Sequence, residues 1–462
     1  MPDRYDVLVV GAGPAGLAAA QTAAAHGARV GLLDAQPRPG GQVWRHDVRR
    51  QAPRAARDAI EKLQSVDVLA SHSVVAVEAS TLRVETPQSS RLIGYGSLIL
   101  ATGARELLLP FPGWTLPGVT GAGGLQVLTK QGWPVEGKRV VVAGSGPLLL
   151  AAADTLRKHG ARVLGIFEQA PAATVRAFAR QLRHWPARAV QAAGLRLRLA
   201  GVPYRFGSFV RRAHGEDTVQ RIDIEMPNGP QTLECDLLAV GYGLVPNTEL
   251  AQMLGCAMDY LGPHPHVSVD RLLRTSVEDV YAAGEAGGIG GLAVARIEGA
   301  MAGHVATGHS VAAHALLPQR DRERRFGALL ARHFALDPRL HTLAADDTLI
   351  CRCEDVTLGE LDGFTDARAA KLATRCGMGA CQGRICGTAL AELGRFPRSG
   401  ARPPIFPARL ATLAGLGAYS RSLHGPRREL FARRPRKNEG VYVNTQPSDD
   451  AGMQANRPGP EG

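Results

Sequence analysis

Five of the seven cysteines fall within residues 351–386, as Cys351-Arg-Cys353, Cys376, and Cys381-Gln-Gly-Arg-Ile-Cys386. Thiolates are soft metal ligands, and two pairs in one short module suit a negatively charged metal centre. Cys351, Cys353, Cys381 and Cys386 form those pairs, with Cys376 a fifth thiol nearby. A T-x-x-E capping box at Thr357 and Glu360 predicts a helix just after the first pair. A second helix start follows Cys386 in GTALAELGRF. A [2Fe–2S] core with four thiolates carries a charge of about −2, and about −3 after one electron. Helix N-termini, with Arg352, Lys371, Arg375 and Arg384, would offset that charge. Structural zinc also takes four thiolates, though in C-x2–4-C knuckles rather than C-x-C, and a redox disulfide or unligated thiols stay open as well.

The second chemical constellation opens the chain. Residues 5–34 read YDVLVVGAGPAGLAAAQTAAAHGARVGLLD, an apolar run, a glycine turn, an alanine-rich helix and a second apolar run ending in Asp34. Gly11, Gly13 and Gly16 stand where a strand hands over to a helix, the context in which G-x-G-x-x-G carries weight. The first glycine makes the turn, the second admits a pyrophosphate, and the third lets helix pack on strand. Pro14 and Ala15 lie in the first helical turn, whose free N–H groups and dipole attract phosphate. Asp34 is placed to accept from ribose hydroxyls. The competing reading is a glycine turn in an ordinary α/β protein.

These residues need strands and helices to hold them. After Asp34, PRPGGQVWR turns the chain at Gly40 and Gly41 and brings in Gln42. A helix is predicted over 54–65, then two alternating strands, then SLILATGARE, whose Ala101-Thr102-Gly103 turn lets backbone approach a ligand. The pattern recurs at 138–168, KRVVVAGSGPLLLAAADTLRKHGARVLGIFE, with Gly144, Gly146 and a terminal acid, Glu168. Such a repeat implies a second dinucleotide-type fold. Leu149 replaces the third glycine. Glu168 would favour a free ribose 2′-hydroxyl, hence NAD over NADP, and the alternative is a structural copy that binds nothing.

Composition excludes several classes. The 462 residues include 54 glycines and only 5% aromatics, which suits turn-rich α/β nucleotide binders. Of the net charge of +12, residues 427–437 supply six Arg/Lys less one Glu, or +5, and no nucleic-acid motif accompanies that tail. The first strand begins near residue 5, leaving no room for a signal peptide, and the most apolar run, 140–153, is broken by glycines and ends at Asp154. A cytosolic protein with no transmembrane segment is expected, with peripheral contact to the inner membrane only through a partner.

TSVEDVYAAGE at 275–285 then returns the chain to its first fold. Together with the two glycine fingerprints and the ATG turn, it resembles the two-dinucleotide-binding-domain flavoproteins. That resemblance implies FAD at Gly11, Gly13, Pro14, Ala15, Gly16, Asp34, Gly41, Gln42, Ala101, Thr102, Gly103, Gly284 and Glu285, and an NAD site at Gly144, Gly146 and Glu168. Glu285 stands where the family usually has Asp against the ribityl–phosphate. The cysteine module resembles the bacterioferritin-associated-ferredoxin [2Fe–2S] domain, with C-x4-C in place of C-x2-C; matched to its GMGxCQGRxC variant, Cys376 reads as spare. The fold class expected is α/β: two Rossmann-like domains, the second inserted in the first, plus a small helical [2Fe–2S] domain. The bounds are 1–110 with 246–312 for FAD, 111–245 inserted, 313–346 connector, 347–404 cluster domain, and 405–462 tail, disordered from about 425.

Stretches such as GGQVWR, ATGARELLLPFPGWTLPGV, GYGLVPNTELA and CRCEDVTLGEL resemble opine oxidase A subunits. Hydrogen cyanide synthase B subunits and subunits of proline and hydroxyproline dehydrogenases are similar. The resemblance implies a hetero-oligomer in which a D-amino-acid-oxidase-like FAD subunit oxidises an amino acid, opine or related amine. Outside the module only Cys235 and Cys256 occur, so no C-x-x-C sits beside the flavin and disulfide-reductase chemistry is not expected. An electron-relay subunit is the leading expectation. A self-sufficient NAD(P)H-dependent reductase and a non-enzymatic docking or sensing module are the alternatives.

Overall fold

Alternation along the first strand, Asp3–Val10, places Val7 and Val9 in the core on one face of the sheet and Leu8 in the core on the other. The computed structural model describes residues 3–78, 80–398 and 400–420, the last five by backbone alone. The expected disorder from about 425 lies outside the described residues.

Asp3–Val10 is central to a sheet in the order Val66–Ala70, Val30–Asp34, Asp3–Val10, Ser90–Leu100. These four strands are parallel. The long strand Ser90–Leu100 changes neighbours along its length. Its first half pairs antiparallel with Thr81–Glu85 and its end pairs parallel with Val280–Ala282, the segment that returns after the insertion. The insertion builds its own parallel sheet, Tyr204–Phe206, Arg162–Glu168, Arg139–Gly144, Leu237–Gly241, Val119–Gly121. The chain leaves and re-enters the outer fold side by side, because Ala104–Glu106 pairs antiparallel with Leu244–Pro246.

Small residues set how closely the outer helices pack. Gly291–Ala306 lies on Pro14–Ala25. A Cβ on Gly299 would fall 2.1 Å from the Ala15 carbonyl oxygen, and one on Gly303 would fall 2.6 Å from that of Ala19. Glycine at these two positions is therefore a packing requirement.

The cysteine module differs from expectation at its start. Glu360 does accept from the Thr357 N–H at 2.7 Å and from its hydroxyl at 2.9 Å, but only a three-residue 3-10 turn, Gly359–Leu361, follows. Asp362 is extended and Gly363 has φ +82°, so the turn cannot propagate. The helix begins later, at Ala367–Thr374, capped by Asp366. Cys386 does open a helix, Cys386–Glu392. The module is fastened to the rest by Glu392, which pairs with His264 at 2.7 Å and His341 at 3.1 Å, and by the Trp114 indole N–H, which donates to the Leu349 carbonyl at 2.6 Å. No described helix is long and apolar enough to cross a membrane.

Candidate functional site: two dinucleotide folds and a five-thiol centre

The outer fold brings its expected site residues together. Gly11 has φ +107°, and a Cβ there would sit 2.2 Å from the Ala101 carbonyl oxygen, so the glycine turn and the Ala101-Thr102-Gly103 turn close on each other. Gly16 has no room either, with a Cβ 1.7 Å from the Gly11 carbonyl oxygen. Gly13 is different: the one neighbour of its Cβ is the Cα of Gly41, at 3.9 Å. Its face is open, as a pyrophosphate requires. Gly41 reaches it in a left-handed conformation, φ +59°. Pro14 and Ala15 form the first turn above this face, and a Cβ on Gly284 would lie 3.0 Å from that of Ala15.

Four residues play roles the sequence did not disclose. Asp34 accepts from the Ala12 N–H at 2.6 Å and the Gln36 N–H at 2.7 Å, so it braces the glycine loop. Gln42 is exposed and accepts from Arg45 at 3.0 Å. Thr102 and Asn247 exchange bonds, the hydroxyl donating at 2.7 Å and the amide returning at 3.0 Å.

Glu285 points its carboxylate at the N–H groups of Gly290 and Gly291, at 3.0 and 2.8 Å, tying down the start of the helix Gly291–Ala306. Burial holds its carboxyl above the ordinary range. Glu298 is a further carboxylate of the site. It is 1% exposed, accepts from the Gly284 N–H at 3.0 Å, and forms a two-bonded pair with Arg324 at 2.8 and 2.7 Å. The signal for it was one acid on the buried face of an otherwise apolar helix.

In the inserted fold the glycine loop is present but covered. Gly144 has φ +139° and lies against the Gly241 carbonyl. Glu168, fully buried, accepts from the Gly146 N–H at 2.7 Å and the Ala170 N–H at 2.9 Å, and burial pushes its carboxyl up to about 7. Leu149 is fully buried in the core of this fold. The direction in which a Cβ on Gly146 would point is filled by the ring of Phe334, 3.6 Å away. The Ser145 hydroxyl donates to the Phe334 carbonyl at 2.9 Å, and the Gln169 amide donates to the Ala335 carbonyl and accepts from the Asp337 N–H, both at 2.9 Å. Residues 334–337, expected only to connect, are bound across the second loop.

All five thiols of the module converge. Cys351, Cys376 and Cys386 are buried with their sulfurs within 4.8 Å of one another. Cys381 touches Cys386 and Cys353, and Cys353 lies at the surface. Gly379 makes room for Cys353, since a Cβ there would fall 2.2 Å from the Cys353 Cβ. Contact with Cys386 draws the Cys381 thiol down to about 4, against burial and helped by the N–H groups of Ile385 and Gly383. Lys371 and half-buried Arg384 face the sulfurs, whereas Arg375 pairs with Glu354 at 2.7 Å and Arg352 lies over the Trp114 ring. The donor set fits a thiolate-bound metal centre.

Two dinucleotide folds, one set into the other, define an FAD-dependent oxidoreductase. Residues 5–306 match the model of the pyridine nucleotide-disulphide oxidoreductases, and the chain belongs to that family. It is 35% identical over 465 residues to the opine oxidase A subunit of Rhizobium meliloti (strain 1021), spanning 89% of this chain and 99% of the relative. It is 31% identical to the hydrogen cyanide synthase subunit HcnB of Pseudomonas protegens, over 82% of this chain and 89% of that one. Among solved structures, L-proline dehydrogenase from P. horikoshii superposes with a TM-score of 0.66 at 20% identity, covering 89% of this chain and 80% of that one, a likeness of fold.

Proposed function

We propose that this chain is the electron-relaying subunit of a hetero-oligomeric dehydrogenase or oxidase of amino acids, opines or related secondary amines. In this reading FAD occupies the outer fold, and Cys351, Cys353, Cys381 and Cys386 hold a [2Fe–2S] cluster. The donor is a partner of D-amino-acid-oxidase type. FAD supplies two-electron acceptance and one-electron release, and a [2Fe–2S] centre carries single electrons. The open face at Gly13 binds the pyrophosphate, Asp34 orients the ribose, and Glu392 with Trp114 keeps the cysteine module docked. Likeness to the opine oxidase A subunit over almost its full length supports the complex.

The observation that carries the choice of donor is Phe334 against Gly146. A nicotinamide dinucleotide needs that face of the loop for its pyrophosphate. With the face filled from within the chain, NAD(P)H is disfavoured and a protein donor is favoured. Gly144, Gly146 and Glu168 speak for the rival reading, an NAD(P)H-dependent reductase, and it makes the opposite prediction. The test is anaerobic mixing of amino acid or opine with the chain by itself and with the chain joined to its D-amino-acid-oxidase-like partner. Flavin bleaching in the complex only is expected. Rapid bleaching of the isolated chain by the amine contradicts the relay.

A further inference from the structure

We propose that Cys376 is a reserve ligand of the metal centre, able to enter coordination when Cys351 or Cys386 is lost. The inference rests on the reading of the module as a cluster site. A [2Fe–2S] centre uses four protein ligands, and this module gathers five thiols, three of them within 4.8 Å of one another. They form a continuous series of contacts, Cys353 to Cys381, Cys381 to Cys386, Cys386 to Cys376, and Cys376 to Cys351. Cys376 occupies the interior of that series and is 8% exposed.

Distance decides whether such a thiol can bind. Two thiolates on one tetrahedral metal with bonds of roughly 2.3 Å stand roughly 3.8 Å apart. Cys376 is within 4.8 Å of both Cys351 and Cys386, so a movement on the order of 1 Å brings it into bonding range of a metal that either one holds. The backbone is built to deliver it. Arg375 is left-handed at φ +64°, which ends the helix Ala367–Thr374 and turns Cys376 inward, and Gly377 follows at φ +80°. A non-glycine residue is strained in that region, so the turn is held by its surroundings. A cysteine present only to fill space needs no sulfur within reach of two ligands.

The test uses the full chain, prepared anaerobically, with Cys351→Ala and Cys386→Ala each made alone and combined with Cys376→Ala. Iron and sulfide per chain and the EPR spectrum of the reduced protein are read, and flavin content reports folding. The parent and Cys376→Ala should hold about two irons with one shared spectrum. Each single ligand variant should keep more than half of that iron with shifted g-values. Adding Cys376→Ala should lower iron by about tenfold. Single variants as empty as the doubles overturn the inference, and so does loss of iron from Cys376→Ala alone. Should an alanine variant lose flavin, Cys386→Val, which likewise offers no ligand atom, carries the same comparison with and without Cys376→Ala. An iron-free parent overturns the cluster reading and this inference together, whereas an iron-loaded parent with empty single variants overturns this inference alone.

Discussion

The hydroxyl of Ser145, between the first two glycines of the second fingerprint, donates to the main-chain carbonyl of Phe334 at 2.9 Å. The two residues are 189 positions apart, and their contact makes the inserted fold a dock for the chain that leads to the cysteine module. Beside Ser145, Gly146 faces the Phe334 ring, whereas its counterpart in the outer fold, Gly13, is open. Two copies of one motif thus carry opposite surfaces, one open and one covered by the chain itself.

Gln169 anchors that strap at both ends of its amide. Gln169→Ala removes the acceptor of the Asp337 N–H, and a hydrogen bond of about 1 kcal/mol corresponds to about fivefold faster exchange of that amide. Hydrogen–deuterium exchange of residues 334–340 reads this directly. Unchanged exchange would show that the strap is held by Phe334 and its neighbours alone.

Gly13 and Gly16 should fail in different ways. A Cβ at Gly13 meets nothing nearer than the Gly41 Cα at 3.9 Å, so Gly13→Val should yield a folded chain that has lost flavin. Gly16→Ala drives a methyl group onto the Gly11 carbonyl and should cost about 3 kcal/mol or more, lowering soluble yield. Flavin-to-protein absorbance ratios and thermal melts separate the two. Full flavin occupancy in Gly13→Val would remove the assignment of the outer site.

Glu168 predicts a pH dependence. Burial raises its folded value from 4.5 to about 7, so the folded state keeps a proton that the unfolded state has released. Its contribution is greatest below 4.5 and declines as pH rises towards about 7, reaching a penalty of about 3 kcal/mol above that range. Urea midpoints measured from pH 5 to pH 8 should fall more steeply for the parent than for Glu168→Gln. Parallel slopes would show that the carboxylate is better solvated than its burial implies.

Much of this architecture was legible because it is local. Gly11, Gly13, Gly16 and Asp34 lie within one strand–helix–strand unit, and their spacing carries their geometry. The insertion was legible as a repeat. What escaped depends on contacts between distant segments. Nothing in the residues around 334 marks them as partners of Ser145, and Glu298 meets Arg324 only after the last helix and the connector have packed. Only the Glu360 half of the Thr357–Glu360 box formed, the Thr357 hydroxyl donating to that carboxylate; the turn takes Leu358 as its N-cap, and Gly363 stopped it there. Cys376 read as spare because motif matching orders thiols along the chain, whereas the fold orders them in space.

The central claim is that electrons reach this chain from a protein partner and not from nicotinamide. An anaerobic stopped-flow titration of the isolated, flavin-loaded chain with NADH and NADPH tests it most directly. The flavin absorbance band should persist through several minutes at millimolar nicotinamide, because the strap of residues 334–337 fills the loop that would bind it. Bleaching within the first seconds, saturating with NADH, would show that the inserted fold opens to nucleotide and that the chain is a reductase in its own right.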